Sequence, residues 1–526
     1  MMHQRLALLS CCLAAVAIAL GGCSLRSVET PGAPKETRPN VIIILADDLG
    51  IGDVSAYNKN SAWQTPHIDR LAARGMSFSD AHTSSSICTP TRYSIMTGRY
   101  NWRSTLKKAG LNGYSPPLIE GERLTIAELF SDAGYDTAMV GKWHLGWDWR
   151  YVEGATDQFD VKTRQRIDFS KRIENGPQDH GFAYSYVTAA SLSSPPFVWV
   201  ENSRATQIPD RVSVNYDEKA FWRKGPIAPD FDHARTLDRI INRSVGLIEE
   251  KADGQTPFFL YIALTAPHAP IVPTSEWIGK SNASAYGDFV LQVDHGVGQI
   301  VDAVVEDDRL QNTLIFFTSD NGQSPRADFE NDELPLAGHQ GSYIYRGRKF
   351  DIFEGGHRVP FIASWPGKID EGDWSDEVIC TTDFMATAAE LLGVPLGDET
   401  GEDSYSILPA LLQQHETRPI REATVHHSSD GRFAIRQAEW KLILWPGSGG
   451  WAYPASAEDM EGLPRFQLYN LTSDPGETSN LVDKHPDRVE AMKALLVQYV
   501  NEGRSTPGQP QRNDGPATWP ELDWMP

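Results

Sequence analysis

Four runs of apolar and β-branched residues stop abruptly at polar side chains. They are NVIIILADD from Asn40, YDTAMVGKWHLG from Tyr135, PFFLYIALTAPH from Pro257 and TLIFFTSDNG from Thr313. Because the runs are continuous rather than alternating, they predict strands buried on both faces. We therefore predict an α/β fold with a large mixed, mostly parallel sheet between helices.

The polar residues at the ends of these runs have the chemistry of a binding site. In sheets of this kind, ligands bind beyond the carboxyl ends of the strands. Four separate runs deliver metal-type and catalytic-type groups to one predicted edge, namely Asp47, Asp48, Lys142, His144, His268, Asp320 and Asn321.

The pattern changes after residue 423. RFAIRQAEWKLILW from Arg432 predicts a pair of antiparallel strands, and HPDRVEAMKALLVQYVNEG from His485 has the apolar spacing of an amphipathic helix. We predict a catalytic domain over residues 40–423. Residues 424–526 are then a small C-terminal α+β subdomain with an antiparallel sheet and a Pro-rich tail.

The N-terminus has the pattern of a targeting segment. Arg5 precedes the short apolar stretch LALLSCCLAAVAIAL, which ends in LGGC. Small residues before Cys23 resemble a bacterial lipobox. We expect a signal peptide over residues 1–22, lipidation of Cys23 and a flexible tether over 23–39, hence an exported, membrane-anchored lipoprotein, periplasmic or at the cell surface. The alternative is an ordinary secretory peptide cleaved nearby.

The composition narrows the choice of partners. The 526 residues carry a formal net charge of -22, which argues against nucleic-acid binding. At physiological ionic strength, salt screens the electrostatic field of this net charge beyond about 8 Å. A local basic pocket can therefore still hold an anion.

Few cysteines remain in the predicted folded body. Only Cys88 and Cys380 lie there, and although one disulfide is possible, a disulfide framework would need more. Cys380 is interpreted as a small core residue.

The acidic residues at the strand ends are candidate ligands of a metal ion. Asp47, Asp48, Asp320 and Asn321 offer the oxygen ligands that Ca²⁺ or Mg²⁺ prefers, although the same residues also form turns and helix caps after strands.

Cys88 lies in SSSICTPTRYSIMTG, where Pro90 suits the first turn of a helix starting near Thr89. An ordinary thiol before a capped helix is the alternative for that segment alone.

The Cys88 segment is accompanied by further motifs along the chain. CTPTRYSIMTGRY, followed by GYDTAMVGKWHLG, resembles the two signatures of the type I sulfatases. The resemblance continues in the same order through TPHIDRLAARG, APHAP, SDNG, YRGRKFDIFEGGHRVPFIASWPG and LYNLTSDPGETSNL, from Asn40 to about Leu481. It implies an alkaline-phosphatase-like fold and hydrolysis of sulfate esters.

The resemblance implies that Cys88 is a precursor. In this family a maturation enzyme oxidises the motif cysteine to formylglycine, an aldehyde that is hydrated at rest. One hydroxyl of the hydrate attacks sulfur and releases the alcohol. Loss of the proton from the second hydroxyl then expels sulfate and restores the aldehyde, so the covalent intermediate clears itself.

The family's residue roles map onto this chain position by position. One calcium ion would be bound by Asp47, Asp48, Asp320, Asn321 and the modified Cys88. Arg92 and Lys142 would hold the hydrate, and His144 would be the base. His268 and Lys349 would contact the sulfate and the leaving oxygen, and Ser191 would orient the hydrate.

The substrate is expected to be a sulfated carbohydrate, an oligo- or polysaccharide. Trp102, Arg103, His357, His426, His427 and Trp451 are candidate sugar contacts, with core or surface positions as the alternative for each. The FAIRQAEWKLILWPGSGGW region resembles enzymes that remove 6-sulfate from galactose-type sugars, while Ser193 and Ser194 stand where related carbohydrate sulfatases often carry an acid.

Two other functions remain open from the sequence. A phosphonate monoester or phosphodiester hydrolase of the same fold would use the same modified cysteine. If Cys88 were never converted, a non-catalytic glycan-binding lipoprotein would result.

Overall fold

The computed structural model describes residues 38–152, 167–214, 220–252, 254–305, 307, 311–328, 338–414 and 419–525. The expected signal peptide at 1–22 and lipidated Cys23 lie outside the described residues, as does all but the end of the expected tether.

A ten-stranded mixed sheet forms the centre of the fold. Its strands are β1 (Asn40–Asp47), β2 (Met76–Phe78), β4 (Asp136–Lys142), β5 (Tyr184–Thr188), β6 (Val200–Glu201), β7 (Arg204–Ala205), β10 (Phe258–Pro267), β11 (Thr313–Ser319), β12 (Phe361–Ser364) and β13 (Asp373–Ser375). Their order across the sheet is β13-β2-β12-β11-β1-β10-β4-β5-β6-β7.

The four apolar runs form the middle of this sheet. They become β11, β1, β10 and β4, which are adjacent and parallel, with Ile43 of β1 beside Phe316 of β11 and Tyr261 of β10. Antiparallel pairing begins at β12 on one side and at β6 on the other. The predicted mixed, mostly parallel sheet is therefore confirmed.

Nine α-helices are seen in the described residues. They are α1 (Pro66–Ala73), α2 (Cys88–Thr97), α3 (Ile126–Asp132), α4 (Thr236–Ala252), α5 (Ala285–Val305), α6 (Glu354–His357), α7 (Phe384–Leu392), α8 (Leu408–Leu411) and α9 (Pro486–Glu502). Within the described ranges, none of them has both the length and the apolar character that crossing a bilayer requires.

A second, antiparallel sheet lies near the C-terminus. It consists of β15 (Thr424–His427), β16 (Phe433–Gln437), β17 (Trp440–Ile443) and β18 (Gln467–Asn470), joined in chain order. This sheet, α9 and the tail share a core that includes Trp519 and Trp524. The antiparallel sheet predicted for this region is confirmed.

The remaining described strands form two small pairs. They are β3 (Ala81–His82) with β14 (Ile379–Cys380) and β8 (Arg211–Ser213) with β9 (Gly225–Ile227). Cys380 is buried in the second core, and both Cys380 and Cys88 are free thiols.

Candidate active site

The end of the central strand β1 forms the centre of the site. Asp47 is its last residue, and Asp48 turns the chain with a φ of 66°, a conformation that Asp tolerates better than most residues. The backbone N–H of Asp48 donates to Asp320 Oδ1 at 3.1 Å, directly after β11. Two neighbouring strands therefore bring their acidic ends together.

Helix α2 places Cys88 beside these carboxylates. The helix begins at Cys88, one residue before the position predicted from the sequence, and all of its side chains are buried. Cys88 Sγ lies 3.3 Å from Lys349 Nζ and 3.9 Å from Asp48 Oδ1. Burial raises the pKa of the Cys88 thiol to about 12 against the opposing effect of Lys142 and Lys349. Unmodified Cys88 is thus a neutral thiol at pH 7, not a thiolate nucleophile.

Three cations face the three carboxylates of the site. Lys142 Nζ donates to both oxygens of Asp47 at 2.9 and 2.7 Å. Lys349 Nζ donates to Asp48 Oδ2 at 2.8 Å. Arg92 Nη2 donates to Asp320 Oδ2 at 2.7 Å, and Arg92 Nη1 donates to the Lys142 carbonyl at 3.0 Å.

The carboxylates respond differently to these surroundings. Burial alone would raise the pKa of Asp47, but Lys142, His268 and Arg92 outweigh it and hold the pKa well below its ordinary value. Burial, reinforced by the charge of Asp47, raises the pKa of Asp320 to about 6. Such divergent pKa values in one cluster are typical of functional sites.

Two histidines lie at the cavity face of the cluster. His268 Nε2 is 3.7 Å from Asp48 Oδ2, and its Nδ1 is hydrogen-bonded to the Ala269 carbonyl. Burial lowers the pKa of His268 to about 4 and lowers the pKa of His144 well below its ordinary value. Both imidazoles are therefore neutral at pH 7, with His144 Nδ1 buried and without a hydrogen-bond partner.

The donor set at the strand ends fits a hard divalent cation. Ligand atoms of Asp47, Asp48, Cys88 and His268 all lie within 4.8 Å of one another. Asn321 Nδ2 donates to Asp48 Oδ1 at 2.8 Å, while the buried Asn321 Oδ1 has no hydrogen-bond partner. An oxygen ligand left unsatisfied beside clustered carboxylates is what a Ca²⁺ or Mg²⁺ ion would bind.

A cavity of about 440 Å³ opens above Cys88. Six of the residues predicted from the sequence line it, namely Cys88, His144, Ser191, His268, Lys349 and Trp451. Arg92 and Lys142 are almost fully buried and contact the site from the interior of the protein.

Five predicted substrate contacts do not line this cavity. Trp102 is fully buried in the second core near Tyr100. Arg103 is fully buried and its Nε donates to Asp403 Oδ2 at 2.7 Å. His357 and His426 are fully buried and stack on each other with ring centroids 3.9 Å apart. We therefore interpret these four residues as structural, and His427, also buried, likewise.

Several further residues line the cavity that no sequence pattern predicted. They come from loops and, for Arg326, from a short 3-10 helix, and the larger ones are Asn112, Tyr114, Phe221, Arg223, Arg326 and Phe350. Loop residues have no hydrophobic period that would place them, although the pair Arg223 and Lys224 in an acidic chain was a visible local excess of positive charge.

Comparison with known proteins identifies the family. The sulfatase family model matches residues 39–394. An N-acetylgalactosamine-6-O-sulfatase from Bacteroides thetaiotaomicron is 33% identical, with 91% of this chain and 96% of the relative covered. The human N-acetylgalactosamine-6-sulfatase is 28% identical over 94% of this chain and 91% of the relative. This chain belongs to the sulfatase family, enzymes that hydrolyse sulfate esters, as predicted from the sequence.

Solved structures agree on the fold. A Bacteroides thetaiotaomicron structure from work on the metabolism of multiple glycosaminoglycans has a TM-score of 0.75 at 31% identity, covering 88% of this chain and 99% of its own. The PsFucS1 sulfatase from Pseudoalteromonas sp. has a TM-score of 0.67 at 23% identity, covering 89% and 92%. The alkaline-phosphatase-like fold is thereby confirmed.

Proposed function

We propose that this chain removes sulfate from a sulfated glycosaminoglycan-type carbohydrate, using a formylglycine made from Cys88 and one bound Ca²⁺. The observation that carries the proposal is the position of Lys349. Its ammonium group lies 3.3 Å from Cys88 Sγ and 2.8 Å from an oxygen of Asp48, at the floor of an open cavity. A sulfate ester that enters this cavity would therefore meet the proposed nucleophile position at Cys88, the proposed metal ligand Asp48 and the cation of Lys349 at one place.

The buried cations would stabilise negative charge on the reacting sulfate. Lys349 is held in the ammonium form, because Asp48 and Cys88 outweigh the effect of burial and raise its pKa. Arg92 and Lys142 are fixed by Asp320 and Asp47 and so cost little reorganisation when charge develops. Preorganised charges of this kind are usually the largest contribution to catalysis.

The two neutral histidines suit proton transfer. His144 has an unpartnered Nδ1 and lines the cavity, so it can accept a proton there. His268 lies with Lys349 at the cavity floor, near where the leaving oxygen would be released. We propose His144 as the base and His268 with Lys349 as the groups that contact the sulfate.

The proposal also includes a bound metal ion and the formylglycine made from Cys88. Asp47, Asp48, Asp320 and Asn321 would hold the ion, which would supply positive charge next to residue 88. The hydrated formylglycine would supply the nucleophilic hydroxyl that the neutral Cys88 thiol lacks. A formylglycine-generating maturation enzyme is therefore an expected partner of this chain.

Similarity to relatives supports the substrate class. The bacterial and mammalian relatives that cover nine tenths of this chain are named as sulfatases of the 6-position of N-acetylgalactosamine. We propose a 6-sulfated N-acetylgalactosamine unit of a glycosaminoglycan-type chain as the substrate.

Chromatography of a panel of defined sulfated saccharides tests this function. The protein, matured with a formylglycine-generating enzyme, is expected to desulfate 6-sulfated N-acetylgalactosamine faster than 4-sulfated or 2-sulfated sugars. An aryl phosphodiester measured in parallel tests the alternative hydrolase. Faster turnover of the phosphodiester, or no sulfate release from any saccharide, would contradict the proposal.

Export and lipidation are proposed from the N-terminal pattern. We propose that Cys23 is acylated after removal of residues 1–22, which would place a glycan-degrading enzyme outside the cytoplasm. Expression with a labelled fatty acid is expected to label the wild type but not Cys23→Ala. Equal labelling of the two proteins, or a soluble wild type, would contradict the anchor.

A further inference from the structure

The loop PGSGGW at residues 446–451 joins the C-terminal antiparallel sheet to the wall of the cavity. The backbone N–H of Ile352 donates to the Ser448 carbonyl at 2.8 Å. The backbone N–H of Trp451 donates to Oδ1 of the buried Asp351 at 2.8 Å. These two hydrogen bonds fix the backbone of the loop against the segment that follows Lys349.

The loop approaches this segment closely because residue 450 is a glycine. A Cβ at Gly450 would lie 2.5 Å from Asp351 Oδ1 and 2.6 Å from the carbonyl carbon of Phe350. Phe350 itself has a φ of 83°, a conformation that is strained for a bulky aromatic residue. Backbone strain of this kind persists only where the surrounding structure holds it, and it is most frequent at ligand-binding sites.

Phe350 and Trp451 form a pair of stacked rings in the cavity wall. Their centroids are 4.5 Å apart and their planes differ by 24°. Both residues line the cavity, and Trp451 is 54% exposed. Phe350 supports one side of the indole, so the apolar surface of Trp451 that remains in water is available to a ligand.

The stacked pair lies next to the cation of the reacting centre. Lys349 Nζ is 5.3 Å from the centroid of the Phe350 ring and 3.3 Å from Cys88 Sγ. A sulfate ester that contacts Lys349 would therefore bring the ring that carries it close to the two aromatic side chains. A sugar ring has an apolar face of C–H groups, which packs well on a flat aromatic surface.

We propose that Trp451, supported by Phe350, is the platform on which the ring of the sulfated sugar stacks. For the identity of that sugar we rely on the proposed function. Lys349 would bind the sulfate and Trp451 would bind the ring, so the platform determines specificity without taking part in the chemistry. It would make the protein select a cyclic sugar ester over a sulfate ester that has no ring.

Calorimetric binding to the Cys88→Ala protein in the presence of Ca²⁺ tests the platform without turnover. The two ligands are 6-sulfated N-acetylgalactosamine and ethyl sulfate, which has the ester but no ring. Cys88→Ala is expected to bind the sugar ester more tightly. Adding Trp451→Ala should weaken binding of the sugar ester about 10-fold and leave binding of ethyl sulfate unchanged.

Further substitutions separate stacking from a general effect on the fold. Trp451→Phe should keep most of the affinity for the sugar ester, whereas Trp451→Leu, which is apolar but has no ring, should lose it. Trp374→Ala is the matched control, because Trp374 is 50% exposed on β13 and is not among the described residues that line the cavity. It should bind both ligands as the parent does.

Three results would overturn the platform. They are a parent protein that does not bind the sugar ester, a Trp451→Ala variant that binds it as tightly as the parent, and an equal loss in Trp374→Ala. A loss of ethyl sulfate binding as large as that of the sugar ester would also do so, because the effect would then lie at the sulfate.

Sulfate release by the matured wild type separates the platform from the proposed function. If the wild type desulfates the sugar but Trp451→Ala does not change binding, the platform is wrong and the function stands. If no sulfate is released while binding of the sugar ester depends on Trp451, the proposed function is wrong and the platform stands.

Discussion

At the scale of single residues, Lys349 connects the reacting position to the acidic cluster. It is almost fully buried, and its charge is held by Asp48 while its ammonium group also contacts Cys88. A cation fixed in this way needs no rearrangement when negative charge develops nearby. Loss of Lys349 should therefore lower the catalytic rate and not only the stability of the fold.

Replacing Lys349 tests this role. Lys349→Ala is expected to lower kcat/KM by about 10²- to 10³-fold, the effect of losing one preorganised charge. The exposed Lys59→Ala is the control and should match the wild type. A Lys349→Ala enzyme within threefold of wild type, with an unchanged thermal midpoint, would contradict the role.

Removal of the metal tests the acidic cluster. Dialysis against a chelator is expected to lower the thermal unfolding midpoint, because an ion that binds only the folded chain stabilises it, and added Ca²⁺ should restore it. Asn321→Leu should weaken this response, since it removes the unpartnered oxygen. A midpoint that is independent of chelator and Ca²⁺ would contradict the site.

The sequence located the reacting residues better than the residues around them. Asp47 and Lys142 end buried strands, and His268 and Asp320 directly follow them. The edge of the sheet therefore brings these four residues together without help from the loops. Arg223 is held by loop contacts with Ser193 and Ser194, and no periodic pattern predicts such a contact. Trp102 was a candidate for the cavity because an aromatic residue suits both a sugar and a core, and only packing distinguishes the two.

At the scale of elements, the position of helix α2 in the fold depends on how its two ends are held. It starts at the reacting residue and ends at Gly98, whose φ of 64° is left-handed. A Cβ at Gly98 would lie 2.6 Å from Met385 Cβ, so the close approach of α2 to α7 requires glycine. This contact fixes the far end of the helix that carries Cys88.

Gly98→Ala tests the contact. The change is expected to lower the free energy of unfolding by about 2–4 kcal/mol, from left-handed backbone strain together with overpacking. Gly134→Ala is the matched control, because Gly134 is also left-handed but a Cβ there would meet nothing within 4 Å. It should cost only about 1–2 kcal/mol. Equal shifts of the two denaturant midpoints would contradict the packing argument.

Long strands were predictable and short ones were not. A continuous apolar run such as that of β10 can only be buried on both faces, so the central sheet follows from the pattern. Strands of two or three residues, such as β6 and β8, have no run to recognise. In the structure β6 pairs with β5 and β8 pairs with β9.

At the scale of the whole molecule, buried neutral histidines should make the protein sensitive to acid. Burial lowers the pKa of His427 to about 3 and that of His233 to about 4. In the unfolded chain the same groups have a pKa near about 6.5. Between these values the unfolded chain binds protons that the folded chain does not, so stability falls as the pH falls.

Unfolding measured from pH 7 to pH 4 tests this. The thermal midpoint is expected to decrease steadily below about pH 6.5. His427→Gln should decrease less steeply, because it removes one of the groups that titrate in the unfolded chain. A midpoint that rises on acidification, or a His427→Gln slope equal to that of the wild type, would contradict the assignment.

We propose that a sulfate-ester hydrolase centre is assembled around residue 88. Its most direct test is sulfate released from 6-sulfated N-acetylgalactosamine by the matured wild type and by Cys88→Ala, with thermal unfolding measured on both samples. We expect release by the wild type, none by Cys88→Ala, and similar unfolding midpoints. Release by Cys88→Ala at a rate near that of the wild type would contradict it.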